Sequence, residues 1–197
     1  MRILFATGNE NKVSEASSIL SPLGYHVETL VVNGIKPEFI EPQADGIEAV
    51  ALSKIEQARE FVKGTQLESS IILVEDSGLF IDSLGGFPGP YSSYVEKTIG
   101  LPGILQLMSG EPARGAEFRA VAIVSGEGFT FTGEGISPGE ISNEMIGQMG
   151  FGYDPIFIPH DGDGRTCGEL SPEEKSSISH RAKALKVVSE FLNPPSK

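Results

Sequence analysis

The chain is poor in cysteine, poor in basic charge and without a long apolar run, and each shortage narrows what it can be. Cys167 is the one cysteine in 197 residues. No internal disulfide can form, no cysteine-based metal site is suggested, and a reducing cytoplasm is expected. Lys and Arg number 15 against 27 Asp and Glu, a formal net charge of −12. An acidic surface argues against binding to nucleic-acid polymers or an anionic membrane, although a small anion needs only a local basic pocket. No stretch is long and apolar enough to span a bilayer, and the apolar run in MRILFATGNENK is too short for a signal-peptide core. Nothing repeats. The 24 glycines and 13 prolines are scattered as turn residues. What remains is a globular composition, 39% hydrophobic, of a length that suits a single domain over residues 1–197.

Against that background one stretch stands out, SSIILVEDSG from Ser69 to Gly78. Ile71 to Val74 is a continuous apolar run rich in β-branched residues, which suits a central strand covered on both faces. Glu75 and Asp76 then read as the strand's end and Gly78 as a sharp turn. Ligands of open α/β sheets bind outside the carboxyl ends of strands. Two acids there are costly to bury without a cation, which points to a hard metal ion. An acidic loop after a core strand is the plainer alternative.

The flanking sequence alternates strands and helices. Arg2 to Thr7 reads as a strand, TGNENK (Thr7 to Lys12) as a turn, and the following residues to Leu20 as a helix. Amides at a helix start favour an anion, and Lys12, Thr7 and Asn9 could add to it. An ordinary turn capped by Asn9 is the competing reading. Tyr25 to Val32 is a second strand. Ile47 to Val62 carries a helical apolar stripe, with Lys54 close to its edge, either snorkelling or reaching a phosphate. Leu79 to Asp82 reads as a short extended segment, GGFPGPYSSY as a shaped loop, and 91–99 and 103–108 as short helices. Glu117 to Ser125 and Phe129 to Glu134 read as an antiparallel hairpin, so the sheet is mixed. FGYDPIFIP (Phe151 to Pro159) predicts a bend before a strand, where an aromatic could stack a base and Asp154 could accept from a ring N–H. A core aromatic and a capping Asp are the alternatives. Ser171-Pro172-Glu173-Glu174 is a capping box. Beyond it, Ser179 can cap a second helix whose first turn holds His180 and Arg181. Cations there oppose the helix dipole by roughly 0.3–1 kcal/mol each, a conflict that a bound anion would remove.

TGNENK at Thr7, VEDSGL at Val74, FPGPYS at Phe87, FGYDPIF at Phe151 and EEKSSISHR at Glu173 stand in an order and spacing that resemble the inosine triphosphate pyrophosphatases, or Ham1 family, over nearly the whole chain. The resemblance implies an α/β homodimer with a long mixed sheet flanked by helices and two lobes around a deep cleft. It implies Mg²⁺-dependent hydrolysis of purine nucleoside triphosphates, namely ITP, dITP and XTP, to the monophosphate and pyrophosphate. Carried onto this sequence, it gives the triphosphate to Thr7, Gly8, Asn9, Glu10, Asn11 and Lys12. It makes Asp76 general base and metal ligand, and gives Ser77 a substrate contact. Phe151, Gly152, Tyr153 and Asp154 bind the base, with Phe151 stacking. Lys175, His180 and Arg181 complete the base and phosphate contacts. Glu41, in EPQA, matches the loop metal ligand, with Glu38 as a rival, and Lys54 matches a lysine seen in many members. Ser176 and Ser93 depart from common members at positions not assigned to chemistry. Selectivity would rest on atom 6 of the purine. A fixed donor there, from Arg181 or a backbone N–H near Phe151, is left unpaired against adenine, which can discriminate by about 10⁴.

Overall fold

The computed structural model describes residues 1–193. Six strands form one sheet in the order β2-β1-β3-β4-β5-β6: β1 Arg2–Phe5, β2 His26–Thr29, β3 Ile71–Ile81, β4 Gly115–Gly126, β5 Phe129–Ile141 and β6 Phe157–Pro159. Parallel pairing joins β1 to both β2 and β3, and antiparallel pairing joins β5 to β6. The sheet is therefore mixed, as the change from βα units to a hairpin predicts. Around it lie α1 Glu10–Leu20, α2 Ile47–Val62, α3 Ser92–Thr98, α4 Gly100–Leu107, α5 Pro172–Ile178 and α6 His180–Leu192.

The chain divides into two compact units, each assembled from several segments. The first comprises Met1–Asp76, Ala120–Gly135 and the chain from Arg181 onward; the second comprises Ser77–Arg119 and Ile136–His180. Each has its own core. In the first, Ile3 and Phe5 of β1, Leu73 of β3 and Ala120, Ala122 and Val124 of β4 pack with Ala16 and Leu20 of α1 and Ala184, Leu185 and Val188 of α6. The strand residues recur at a spacing of two and the helical ones at three or four, the two periods that put side chains on one face. The stripe of α2 is buried as its spacing predicts, at Ile47, Val50, Ala51, Ile55, Ala58 and Val62.

In the second unit, Leu79 and Ile81 of β3, Phe118 of β4, Ile141 of β5 and Phe157 of β6 meet Val95 of α3 and Ile104 of α4. Cys167 lies inside this core, and its thiol pKa is pushed up to about 12 by burial, with the Asp154 charge acting in the same direction. It is an inert core thiol.

The sequence reading fails at the centre. β3 does not stop at the acids; it runs for 11 residues through Glu75, Asp76, Ser77 and Gly78 to Ile81. The segment read as a separate strand at Leu79 is its second half. Acids look like a strand end because their partners lie far away in sequence. Gly78 is a strand residue whose missing side chain admits another piece of backbone. A Cβ there would fall on the carbonyl oxygen of Gly89 and against Ser92 Oγ. Ser92 Oγ in turn accepts from the Leu79 amide at 2.9 Å and donates to the Gly89 carbonyl at 2.6 Å. Gly78→Ala is expected to cost about 1–3 kcal/mol, the scale of overpacking, read as a fall in the urea midpoint. An unchanged midpoint would show that the 89–92 segment is free to yield.

Candidate active site

In an extended strand, successive side chains point to opposite faces. Glu75 and Asp76 are both buried, one on each face of β3, and each meets cations delivered by helices.

On one face, Glu75 Oε2 pairs with Lys12 Nζ of α1 at 2.6 Å, and Glu75 Oε1 lies 3.3 Å from Arg181 Nε of α6. Arg181 also reaches Glu15 Oε2 at 2.5 Å through Nη1. Glu15 lies one turn beyond Lys12, so α1 presents a cation and an anion side by side. Burial disfavours the guanidinium charge, but Glu75 and Glu15 outweigh it and hold the Arg181 pKa above its ordinary value. Two carboxylates therefore answer the cation at the start of α6, the role a bound anion was expected to fill. Glu15 was missed in sequence; its signal is the i, i+3 spacing from Lys12.

On the other face, Lys54 Nζ of α2 stands between two carboxylates, 2.6 Å from Glu41 Oε1 and 2.7 Å from Asp76 Oδ1. It neither snorkels nor stands free for a phosphate. Burial opposes its charge, and Asp76 and Glu41 more than restore it. Burial raises the pKa of the Asp76 carboxyl, Lys54 and Lys12 pull it down, Glu75 adds to the rise, and the net direction is upward. Glu41 comes from a loop without regular structure, yet its place is fixed. Gln57, one turn beyond Lys54 on α2, donates to the Ile40 carbonyl at 2.8 Å and accepts from the Ile40 amide at 2.9 Å. Glu41, not Glu38, is the acid this clamp sets beside Asp76.

The TGNENK turn is held by its own side chains. Asn9 Oδ1 caps α1, accepting from the amides of Asn11 at 2.9 Å and Lys12 at 3.3 Å, and Thr7 Oγ1 accepts from the Asn9 amide at 3.1 Å. Asn9 is the cap that the plainer reading expects. Gly8, Glu10 and Asn11 are exposed on the same turn.

The second unit holds a separate group. Asp154 Oδ2 accepts from the Phe151 amide at 2.7 Å and from Lys175 Nζ at 2.6 Å. Lys175 Nζ also lies 4.5 Å from the centre of the Phe151 ring, a cation–π distance. Gly150, at φ +75°, makes room for the Asp154 carboxylate, and Gly152, at φ +64°, completes the bend. The Tyr153 ring is buried and its hydroxyl donates to the Ser92 carbonyl at 2.7 Å, so this side chain belongs to the core. The Phe151 amide is likewise spent on Asp154. His180 stacks on Phe118 with centroids 4.6 Å apart. Ser77 is half-buried on β3. The capping box at α5 forms as its residues predict, with Ser171 Oγ accepting from the Glu174 amide and Glu174 accepting from the Ser171 amide.

A family model for the Ham1 family matches residues 3–191. The chain belongs to the Ham1 family. It is 45% identical over 194 residues to a dITP/XTP pyrophosphatase of Pyrococcus horikoshii, covering 98% of this chain and 97% of that one. It is equally identical to one from Methanopyrus kandleri, covering 97% and 96%. Among solved structures, the Ham1 protein of Staphylococcus aureus superposes with a TM-score of 0.83 at 28% identity over 100% of both chains. A HAM1 protein of Coxiella burnetii gives 0.81 at 30% identity over 98% of both.

Within this Ham1 chain the donors that could hold a metal are Glu41 and Asp76. They already share one cation, the Lys54 ammonium, so their oxygens can meet on a single charge. Among the described residues no group of three or more His, Cys, Asp or Glu stands together as a metal cage. A hard-oxygen pair suits Mg²⁺, which is commonly held by one or two carboxylates and completes its shell with phosphate oxygens and water.

Glu75 is the member of the group with most to lose. Glu75→Ala leaves Lys12 and buried Arg181 without their shared counter-charge. A cost of about 3–5 kcal/mol is expected, towards the lower figure because Glu15 remains for Arg181. Urea unfolding measures it, and a loss below the scale of a surface pair would mean the network is dispensable.

Proposed function

We propose that this protein hydrolyses noncanonical purine nucleoside triphosphates, dITP, ITP and XTP, to the monophosphate and pyrophosphate. The observation that carries the reading is the Asp76 carboxylate: buried in mid-strand, held beside Glu41 and Lys54, with Lys12 near enough to influence its charge, in a chain close to named dITP/XTP pyrophosphatases over nearly its full length.

The first unit is assigned the triphosphate. Lys12 and the first amides of α1 supply positive charge at a helix start, where phosphates are favoured. Asp76 takes the proton from the attacking water, a role that suits a carboxylate whose pKa lies above its ordinary value. Glu41 and Asp76 hold Mg²⁺, which when bound withdraws charge from phosphate oxygens and acidifies water. Phe151, Gly152, Tyr153 and Asp154, the residues the family resemblance gives to the base, belong to the second unit. Phe151 offers a ring face, and the Asp154–Lys175 pair keeps that ring and the bend around Gly152 rigid. A homodimeric cytoplasmic enzyme belongs to the same reading and rests on the family resemblance.

The deciding assay incubates the protein with ITP, XTP, dITP, GTP, ATP and dUTP plus Mg²⁺ and separates pyrophosphate from orthophosphate. Pyrophosphate as first product, with ITP and XTP far ahead of ATP, is expected. Orthophosphate as first product would overturn the assignment.

Replacing Asp76 by Asn tests the base. The amide keeps the side chain's shape, and Lys54 keeps Glu41, so the unfolding midpoint should stay near that of the natural chain. The kcat should fall roughly 10²-fold or more, the scale of general-base loss. Near-normal turnover would remove Asp76 from that role.

A further inference from the structure

The Lys54 ammonium sits where two candidate metal-ligating carboxylates converge, bonded to both at 2.6 and 2.7 Å. We propose that Lys54 is an internal counter-ion that a divalent cation must displace, so that metal binding and release of this ammonium are one exchange. The inference rests on the reading of Glu41 and Asp76 as the metal pair.

Three features of the first unit support it. A carboxylate oxygen 2.6 Å from an ammonium is at full hydrogen-bonding contact; Mg²⁺ held by the same two carboxylates at about 2.0–2.1 Å would stand close to that ammonium, and like charges repel at such range. The backbone beside Glu41 does not depend on Lys54, because Gln57 clamps Ile40 with two hydrogen bonds. When the ammonium leaves, the loop that carries the carboxylate stays. Charge balance points the same way. In these ion pairs, four carboxylates, Glu15, Glu41, Glu75 and Asp76, face three cations, Lys12, Lys54 and Arg181, so the set named is one charge negative. A divalent cation entering with Lys54 still at hand makes it one charge positive. The released ammonium, on a four-carbon stem, is then available to a phosphate oxygen. A single exchange turns an anionic pocket into one that accepts a polyanion.

The test uses the full chain and Mg²⁺ alone, without nucleotide. Lysines are modified with an amine reagent and followed by mass spectrometry, with Lys63 as the control because its side chain is mostly exposed and lies on the same helix's C-terminal edge. Lys54, whose side chain is 12% exposed, is expected to react slowly without metal and severalfold faster at saturating Mg²⁺, while Lys63 is unchanged. In parallel, Lys54→Met removes the charge and keeps the stem. Calorimetric titration with Mg²⁺ should show binding tighter by about tenfold, at the low end of coupling energies between close charges.

Equal or slower Lys54 labelling with Mg²⁺ bound overturns the proposal, as does weaker or unchanged metal affinity in the variant. Failure of Mg²⁺ to bind either protein also overturns it. The labelling arm uses the natural chain, so a poorly folded variant does not blunt the test. Pyrophosphate release by a protein that shows no exchange would leave the functional assignment standing and remove only the counter-ion role.

Discussion

Two adjacent buried carboxylates in the middle of a strand are the constraint on which the first unit depends. An isolated carboxylate taken out of water would shift its pKa and neutralise. Glu75 and Asp76 are each answered by cations that α1, α2 and α6 bring to them. The period of two decides which helix serves which acid. Glu75 shares its face with Leu73 and therefore meets the helices packed on that face, α1 and α6; Asp76 meets α2. Helix placement and charge placement are thus one requirement. Such pairs are weak evidence for added stability, since desolvation cancels much of the attraction. Their yield is geometry: fixed positions for Lys12, Lys54 and Arg181 in a chain with few basic residues.

That scarcity frames the chemistry. With net charge −12, the protein cannot attract a triphosphate by its overall field. It must do so with a local arrangement, and the local arrangement is itself slightly negative. On the proposed reading, a divalent cation supplies the positive charge that this arrangement lacks. The upward shift of Asp76 follows from the same crowding: burial and Glu75 push it up, and the two lysines stop it from rising further. A raised carboxylate pKa is the direction that makes a better proton acceptor.

Much of the fold is legible in sequence where the signal is local. The limits of α2, the capping box of α5, the hairpin of β4 and β5 and the cap at Asn9 each rest on residues within a few positions of one another. The site is legible only in part. Asp76 and Glu41 stand out as acids, and Lys12 as a cation at a helix start. What they bond to is not visible, because Lys12 finds its partner 63 residues away and Arg181 finds Glu15 at a separation of 166. The same distance hides the continuity of β3. Its acids look like a terminus until cations from three other segments are in view. Tyr153 misleads for the opposite reason. It sits in a motif whose neighbours are exposed enough to meet a ligand, yet its hydroxyl is fixed to Ser92, 61 residues away.

The second unit shows the same principle applied to a neutral partner. Lys175 is divided between the Asp154 carboxylate and the face of Phe151. Its charge is answered, so the ring is offered without a strong local field, which suits an uncharged purine better than a phosphate. Asp154 Oδ2 accepts from the Phe151 amide and from Lys175, so it shapes the bend. What this segment leaves for a ligand, on the proposed reading, is the ring face and the backbone that Gly150 and Gly152 hold at positive φ. Stacking of that kind is tolerant of base identity. Stacking alone therefore leaves base identity unread, and rejecting a wrong base calls for a fixed polar donor, because a donor free to turn away would lose its power to reject.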